Sequence, residues 1–445
     1  MTTDELKARV CAAIDERRDQ IVGIAREIAA QPETGYKEVE TARRVARAFR
    51  DLGLSPREGL AVTGVRADIK AGGDGPTVTV MGELDALVVR DNPHADSVTG
   101  AVHACGHNAQ IGSMLGAGMG LLASGVMDEL AGRVVLFAVP AEEYVEIEYR
   151  LDLKRQGKIE FLGGKAELVR LGALDDTDLA MMVHATSRAK DGRVGLQSTN
   201  NGMIAKFIRF VGKAAHAGGA PDQGVNALNA ASLALSAIHY QRETFKDEDH
   251  IRVHPILTRG GETVNIVPRE ATMETFVRGA TVDAILDANR KVDRALRGAA
   301  SAIGAGLEVT TLAGYLPLAP SQALVDLYGQ NAERVVEPRD IVANLGHRSG
   351  STDMGDLSQI MPALHPYAGG ATGAGHGSDY EVVDYETAAI VPAKCMAMTI
   401  VDLLSGNAAQ ARQVLAAHTP AMTREQYLKL LRGFEGEQRL PLGGA

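Results

Sequence analysis

Short, nearly continuous apolar runs alternate with amphipathic stretches through the first two hundred residues. Apolar positions spaced three and four apart predict helices around 3–31 and 38–53. Beyond them TVTVMGELDAL predicts a buried strand ending in acids. RVVLFAVPAEE predicts a second, followed by Pro140 and two more acids, and LAMMVHA a third ending at His184. Between them IGSMLGAGMGLLASG predicts a helix, entered through HACGHN. Apolar strands alternating with helices predict an α/β fold with a mostly parallel, mixed sheet flanked by helices.

From about residue 203 the pattern changes. IAKFIRFVG alternates as a strand, and GVNALNAASLALSAIHYQRE follows as a helix. IRVHPILTRGG and REATMETFVRG are two strands, VDAILDANRKVDRALRGAASAIGA a second long helix, and LEVTTLAGYLPL a last strand. The order β-α-β-β-α-β is the ferredoxin-like split motif. It interrupts the first domain, because α/β signals resume after residue 320. The expected boundaries are 1–202 with 316–445 for the outer domain and 203–315 for the insertion. The polar tail, 407–445, carries one helical pattern, REQYLKLLRGF.

A chain of 445 residues also favours two cores over one. Its net charge of -10, from 46 basic and 56 acidic residues with no basic run, excludes nucleic acid as the expected partner. The N-terminal stretch is a charged amphipathic helix without an apolar signal core. No uninterrupted apolar stretch is long enough to span a bilayer, so a cytoplasmic protein without a membrane partner is expected. Three scattered cysteines make no disulfide framework. Cys11 and Cys395 read as small buried hydrophobes. Cys105, two residues before His107 at a helix start, asks for another explanation.

In open α/β sheets ligands gather beyond the carboxyl ends of the strands. Glu83 and Asp85, Glu142 and Glu143, and His184 all fall at such ends. Cys105 and His107 lie on the loop entering the next helix, and His376 lies in the glycine-rich loop GGATGAGHGSDYE. Thiolate, imidazole and carboxylate together are more ligand than one ion needs, and they suit two Zn- or Mn-like ions. Two such ions share a hydroxide and polarise a carbonyl oxygen. One acid of the pair then ligates, and the other moves protons. Each feature alone has an ordinary reading: an isolated C-x-H, an acid pair at a solvated helix start, a histidine hydrogen-bonded in a core. Their shared placement on one sheet edge argues for chemistry.

The segments GELDAL, HACGHN, PAEE, GKAAHAGGAPDQGVNAL, NIVP and STDMGD…GHGSD resemble the M20 metallopeptidase family. They most resemble its amidohydrolase branch of aminobenzoyl-glutamate, auxin-conjugate and N-acyl amino acid hydrolases. The resemblance runs over about residues 10–405. It implies a catalytic α/β domain and a ferredoxin-like lid carrying a homodimer interface. It implies two divalent ions per subunit, Zn or Mn, with Cys105 bridging and His107, Glu143, His184 and His376 as the other ligands. Glu142 becomes the general base. His216, in KAAHA, reaches across the dimer to stabilise the oxyanion. Asn265, in NIVP, contacts substrate, and Arg278 receives a substrate carboxylate.

The implied reaction is hydrolysis of an amide joining an acyl or aromatic group to an amino acid. The alternatives are hydrolytic deamination of an amino-substituted aromatic acid and, in another class, a non-catalytic metal-dependent binding protein. Glu83 and Asn108 stand where the family often has aspartates. YVEIEYR follows the acid pair where glycines are common, so Tyr144, Ile147, Tyr149 and Arg150 are expected to reshape that side of the pocket. His103, His347 and His365 are expected to be hydrogen-bonded structural histidines.

Overall fold

The computed structural model describes residues 1–443. The chain divides into two compact units. One comprises Met1–Thr199, Ala319–Gly346 and Asp356–Arg424; the other comprises Asn200–Leu318, His347–Gly355 and the chain from Glu425 onward.

In the first unit six strands form one sheet, in the order Arg57–Leu60, Gly64–Lys70, Ala131–Val139, Gly73–Glu83, Leu179–Met181, Ala363–Leu364. The last four run parallel and the first two are antiparallel additions, the mixed sheet that the apolar pattern predicts. The run from Thr77 to Glu83 is buried throughout, which is why it reads as continuous rather than alternating. Helices Thr3–Asp15, Arg18–Ala29, His107–Ala123 and Val391–Ala417 pack on one another, around Val10, Ile14, Ile21, Leu115 and Ile400. Helix His107–Ala123 is apolar and buried all round, as a helix enclosed by neighbours must be.

One helical stretch among the described residues, Glu386–Ala417, is long and apolar enough to cross a membrane by length and composition. Its apolar window is 94% buried inside the protein, so it serves here as a core helix. Lys394 and Asp402 interrupt the sequence and are held by Asp15 and Lys7, at 2.7 and 2.5 Å.

The second unit is an antiparallel sheet in the order Gly436–Leu440, Gly306–Ala313, Gly202–Val211, Glu270–Gly279, with Arg252–Val253 and Ile256–Arg259 both on the last of these. Helices Ala227–Tyr240 and Val282–Ile303 cover it, burying Ile208, Phe210, Met273, Val292 and Leu296. The Thr281 side chain caps the second helix on the Ala284 N–H, and Gly304 ends it at φ +73°. The β-α-β-β-α-β reading describes this unit.

The tail differs from expectation. Arg424–Phe434 is helical as the sequence predicts, but Gly436–Leu440 then adds a further strand beside Gly306–Ala313. The residues from Glu425 therefore group with the inserted unit and not with the outer one. GEQRL carries no apolar alternation, because an edge strand held by its backbone ladder needs none.

Candidate active site

Parallel strands bring the candidate residues of the first unit to one edge. Glu83 closes strand Gly73–Glu83, and Ala131–Val139 runs out through Pro140 and Ala141 into Glu142 and Glu143. His184 lies on the short strand His184–Ala185, in register with Tyr367. Gly106 makes the turn between Cys105 and His107 at φ +82°, where an added Cβ would stand 2.6 Å from the Ala185 side chain. His376 sits at φ +63° in its loop and donates its N–H to the Ala104 carbonyl at 3.0 Å.

The functional atoms converge. Cys105 Sγ is 3.2 Å from His184 Nε2, His376 Nε2 is 3.3 Å from Glu143 Oε1, and His107 Nε2 is 3.0 Å from Glu83 Oε2 and 3.9 Å from Glu142 Oε2. Three donor groups result, each with its atoms within 4.8 Å of one another: Cys105, His107 and His184; Cys105, Glu143 and His376; Glu83, His107 and Glu142. Cys105 stands in two of them.

The histidines are turned as ligands. The Asp85 carbonyl oxygen lies 2.9 Å from His107 Nδ1, and the Ala185 carbonyl oxygen lies 2.6 Å from His184 Nδ1. Each carbonyl accepts a hydrogen bond from Nδ1–H, which in the neutral ring leaves a lone pair on Nε2, the usual support of a metal-bound imidazole. Glu83 Oε2, His107 Nε2 and Glu143 Oε1 are buried and make no hydrogen bond. Buried carboxylate oxygens and ring nitrogens that face only one another are costly unless a proton or a cation lies between them. These residues therefore fit divalent metal.

Burial alone would push the Cys105 thiol up, but the imidazoles of His184, His107 and His376 outweigh it and bring the group down to about 6. The adjoining helix start favours the thiolate as well. Removing metal with a chelator should therefore expose a reactive thiolate. Labelling of Cys105 by a thiol reagent at neutral pH is expected to rise well above that of the metal-loaded protein. Equal labelling in the two states would make Cys105 an ordinary buried thiol.

The turn that presents the acid pair is held at several backbone groups. Ala141 has φ +54°, unusual for a residue with a Cβ. Its N–H donates to Glu38 Oε1 at 2.8 Å, and its carbonyl accepts from the Gly164 N–H at 3.1 Å. The Glu143 N–H donates to Asp85 Oδ2 at 2.8 Å. The Arg150 guanidinium, fully buried between the Tyr36 and Tyr144 rings, donates to the carbonyls of Glu143 and Leu162. Tyr144 and Ile147 are buried too. These side chains are turned inward, and Arg150 holds the acid pair from behind.

Glu38 is part of that support. Its burial, with the charge of Asp85 added, pushes its carboxyl up from 4.5 to about 8. A carboxyl raised on folding binds its proton more tightly folded than unfolded. Its contribution to stability is complete below 4.5 and is lost as pH rises through about 8. Unfolding free energy from denaturant titrations is therefore expected to fall across that window. Glu38→Gln, which keeps the acceptor for Ala141, should flatten the fall; an unchanged slope would place the proton elsewhere.

Of the unassigned histidines, His347 is hydrogen-bonded to Asn201 at 2.9 Å and stacked on His250. His103 and His365 correct the expectation: both are buried, with no hydrogen bond at either ring nitrogen, and burial holds each down at about 3 and neutral. His365 packs edgewise on Tyr367 and lies 5.8 Å from the His184 ring. Asn108 donates to the Ala25 carbonyl and the Tyr385 hydroxyl, a structural use.

His216, Asn265 and Arg278 lie in the second unit. The first two are neighbours: His216 bridges Ile266, and the Ala217 N–H donates to the Asn265 carbonyl at 3.0 Å. His216 Nδ1 accepts from the N–H groups of Gly218 and Gly219, at 3.1 and 3.0 Å, which leaves the proton on Nε2. Arg278 is elsewhere. It sits opposite Met203 and Arg252 near the far end of strand Glu270–Gly279, about 26 Å along the strand from Glu270 at ~3.3 Å per residue.

Residues 198–302 match the M20 peptidase dimerisation domain. In sequence and fold the chain is similar to M20-type hydrolases. The Xaa-Arg dipeptidase of Mus musculus is 29% identical over 418 residues, covering 90% of this chain and 89% of that protein. The indole-3-acetyl-aspartic acid hydrolase of Enterobacter agglomerans is 29% identical over 67% of this chain and 66% of its own length. In structure, a dinuclear metal-binding M20 peptidase of Bacillus subtilis superposes with a TM-score of 0.62 at 22% identity, over 88% of this chain and 99% of that one. The M20-type candidate centre thus sits wholly in the first unit, and the matched dimerisation domain falls almost wholly in the second.

Proposed function

We propose that the protein hydrolyses an amide joining an acyl or aromatic group to an amino acid. Two divalent ions, Zn or Mn, are held by Cys105, His107, Glu143, His184 and His376. The observation that carries this reading is the sharing of Cys105 Sγ by two donor groups beside an acid pair whose members face different histidines. When bound, the ions supply a nucleophile from water at neutral pH and polarise the amide carbonyl. Glu142 takes the proton of the attacking water and delivers it to the leaving nitrogen. The Nε2–H of His216 supports the oxyanion, Asn265 contacts substrate, and Arg278 receives its carboxylate.

The two curated relatives are named for cleaving an amide whose amine side is an amino acid, which supports this substrate class. The active form is a homodimer. The matched dimerisation domain supports that, and so does the exposed edge strand Ile256–Arg259, which pairs on one side only and presents Ile256 and Leu257. The test is metal analysis followed by a panel of N-acyl amino acids, Xaa-Arg dipeptides, aminobenzoyl-glutamate and amino-substituted aromatic acids. A free amino acid is the expected product. Ammonia as the sole product would convert the reading to a deaminase, and no turnover by fully metallated protein would convert it to a binding protein.

A further inference from the structure

At the end of strand Gly73–Glu83 one ion pair is buried completely. Lys165 Nζ donates to Glu83 Oε1 at 2.6 Å, and neither side chain has exposed surface. Such a pair contributes little to stability, because removing both charges from water costs about as much as their attraction returns. Its presence calls for another reason, and the second oxygen of Glu83 provides one. Oε2 makes no hydrogen bond and lies 3.0 Å from His107 Nε2, which makes none either. Two such atoms that close repel unless a positive centre, a proton or a metal ion, lies between them. The Asp85 carbonyl accepts one His107 N–H on the other side of the ring, so the face toward Glu83 is left for a second proton or for metal.

Donor atoms bound ~2.0–2.2 Å from one ion, at roughly 90–110° to one another, stand about 2.9–3.6 Å apart. The separations of Cys105 from His184, Glu143 from His376, and Glu83 from His107 are 3.2, 3.3 and 3.0 Å. All three fall within that range, and Glu83, in the third pair, has no role in the set of five ligands.

We infer that metal draws Glu83 in from the group it forms with His107 and Glu142, as a further ligand on the ion of Cys105, His107 and His184, and that Lys165 positions it. The inference rests on the two-ion reading. Lys165 occupies Oε1, so only Oε2 is offered to metal, and its charge offsets the added carboxylate. The two positions then become unequal. One has Cys105, His107, His184 and Glu83; the other has Cys105, Glu143 and His376. The first is closed by protein and the second is left open, which makes the first the tighter and the second the place for substrate.

The test is binding of Zn²⁺ to the metal-stripped, full-length protein in competition with a chromophoric chelator. The wild type is expected to bind two ions in unequal steps. Glu83→Gln strands a buried lysine, so the decisive variant is the double substitution Glu83→Gln with Lys165→Met, which removes both charges at similar volume. Circular dichroism and thermal unfolding check that it folds. Its tighter step should weaken about 10–100-fold or more, the range for losing a single supporting group. Its weaker step should hold. Glu143→Gln serves as the control and should lose the weaker step instead. If the folded double variant keeps both wild-type affinities while Glu143→Gln loses one ion, Glu83 is no ligand. If the wild type binds fewer than two ions, the two-ion reading fails and this inference with it.

Discussion

Glu142→Gln is expected to abolish useful turnover, by about 10²–10⁴-fold in kcat, while both metals stay bound. Glu142 Oε2 lies 3.9 Å from His107 Nε2, the longest of the contacts around that nitrogen, whereas Glu143 faces His376 at 3.3 Å. Adjacent residues on one turn thus present carboxylates to different partners. Glutamine keeps the shape and loses the base, so kcat should fall without loss of metal or of the thermal transition. Glu143→Gln should behave differently and lose an ion. Near-normal activity in Glu142→Gln, or metal loss equal to that of Glu143→Gln, would reverse or remove the assigned roles.

His216→Ala should lower kcat by about 10²–10³-fold, the usual loss for one oxyanion donor, with metal content unchanged. The Gly218 and Gly219 amides fix the ring so that Nε2 is the donor, and the turn exposes it to solvent. Arg278 lies about 26 Å along the sheet from the end that carries His216 and Asn265, at ~3.3 Å per residue. No amino acid conjugate of ordinary size bridges that span. If all three residues serve one substrate, they come from two chains. Mixing folded His216→Ala with Glu142→Gln, followed by subunit exchange, should then restore activity through one site that has its own Glu142 and a partner's His216. Heterodimers that form and remain inactive would sink the assignment in trans, and so would a fully active monomer.

The sequence made much of this legible, for physical reasons. Strands buried on both faces read as apolar runs, and acids at their ends stand out against them, so Glu83, Glu142, Glu143 and His184 could be placed on one edge. The inserted unit announced itself through its change from continuous to alternating strands. What stayed hidden depends on partners distant in the chain. Lys165 looks like a surface cation, Arg150 like a residue of the pocket wall, and nothing local marks either as fully buried. Glu38 looks like a solvated acid before a helix, yet it reaches the Ala141 amide. His103 and His365 were expected to have hydrogen bonds because buried polar groups usually do. GEQRL was invisible as a strand because its pairing is entirely backbone.

The turn around Ala141 bears on portability. Its backbone is fixed by Glu38 at the start of helix Val39–Asp51, by Asp85 from beyond one strand, and by Arg150 and Gly164 from the stretch that follows. The short string PAEE is therefore not a transferable cassette. Set into another α/β scaffold without those four distant supports, Ala141 relaxes to negative φ, its favoured region, and the two carboxylates lose their separate bearings. The unit of inheritance for this acid-bearing turn is the whole span from residue 38 to 164, and recombination within that span is the kind of exchange the turn does not survive.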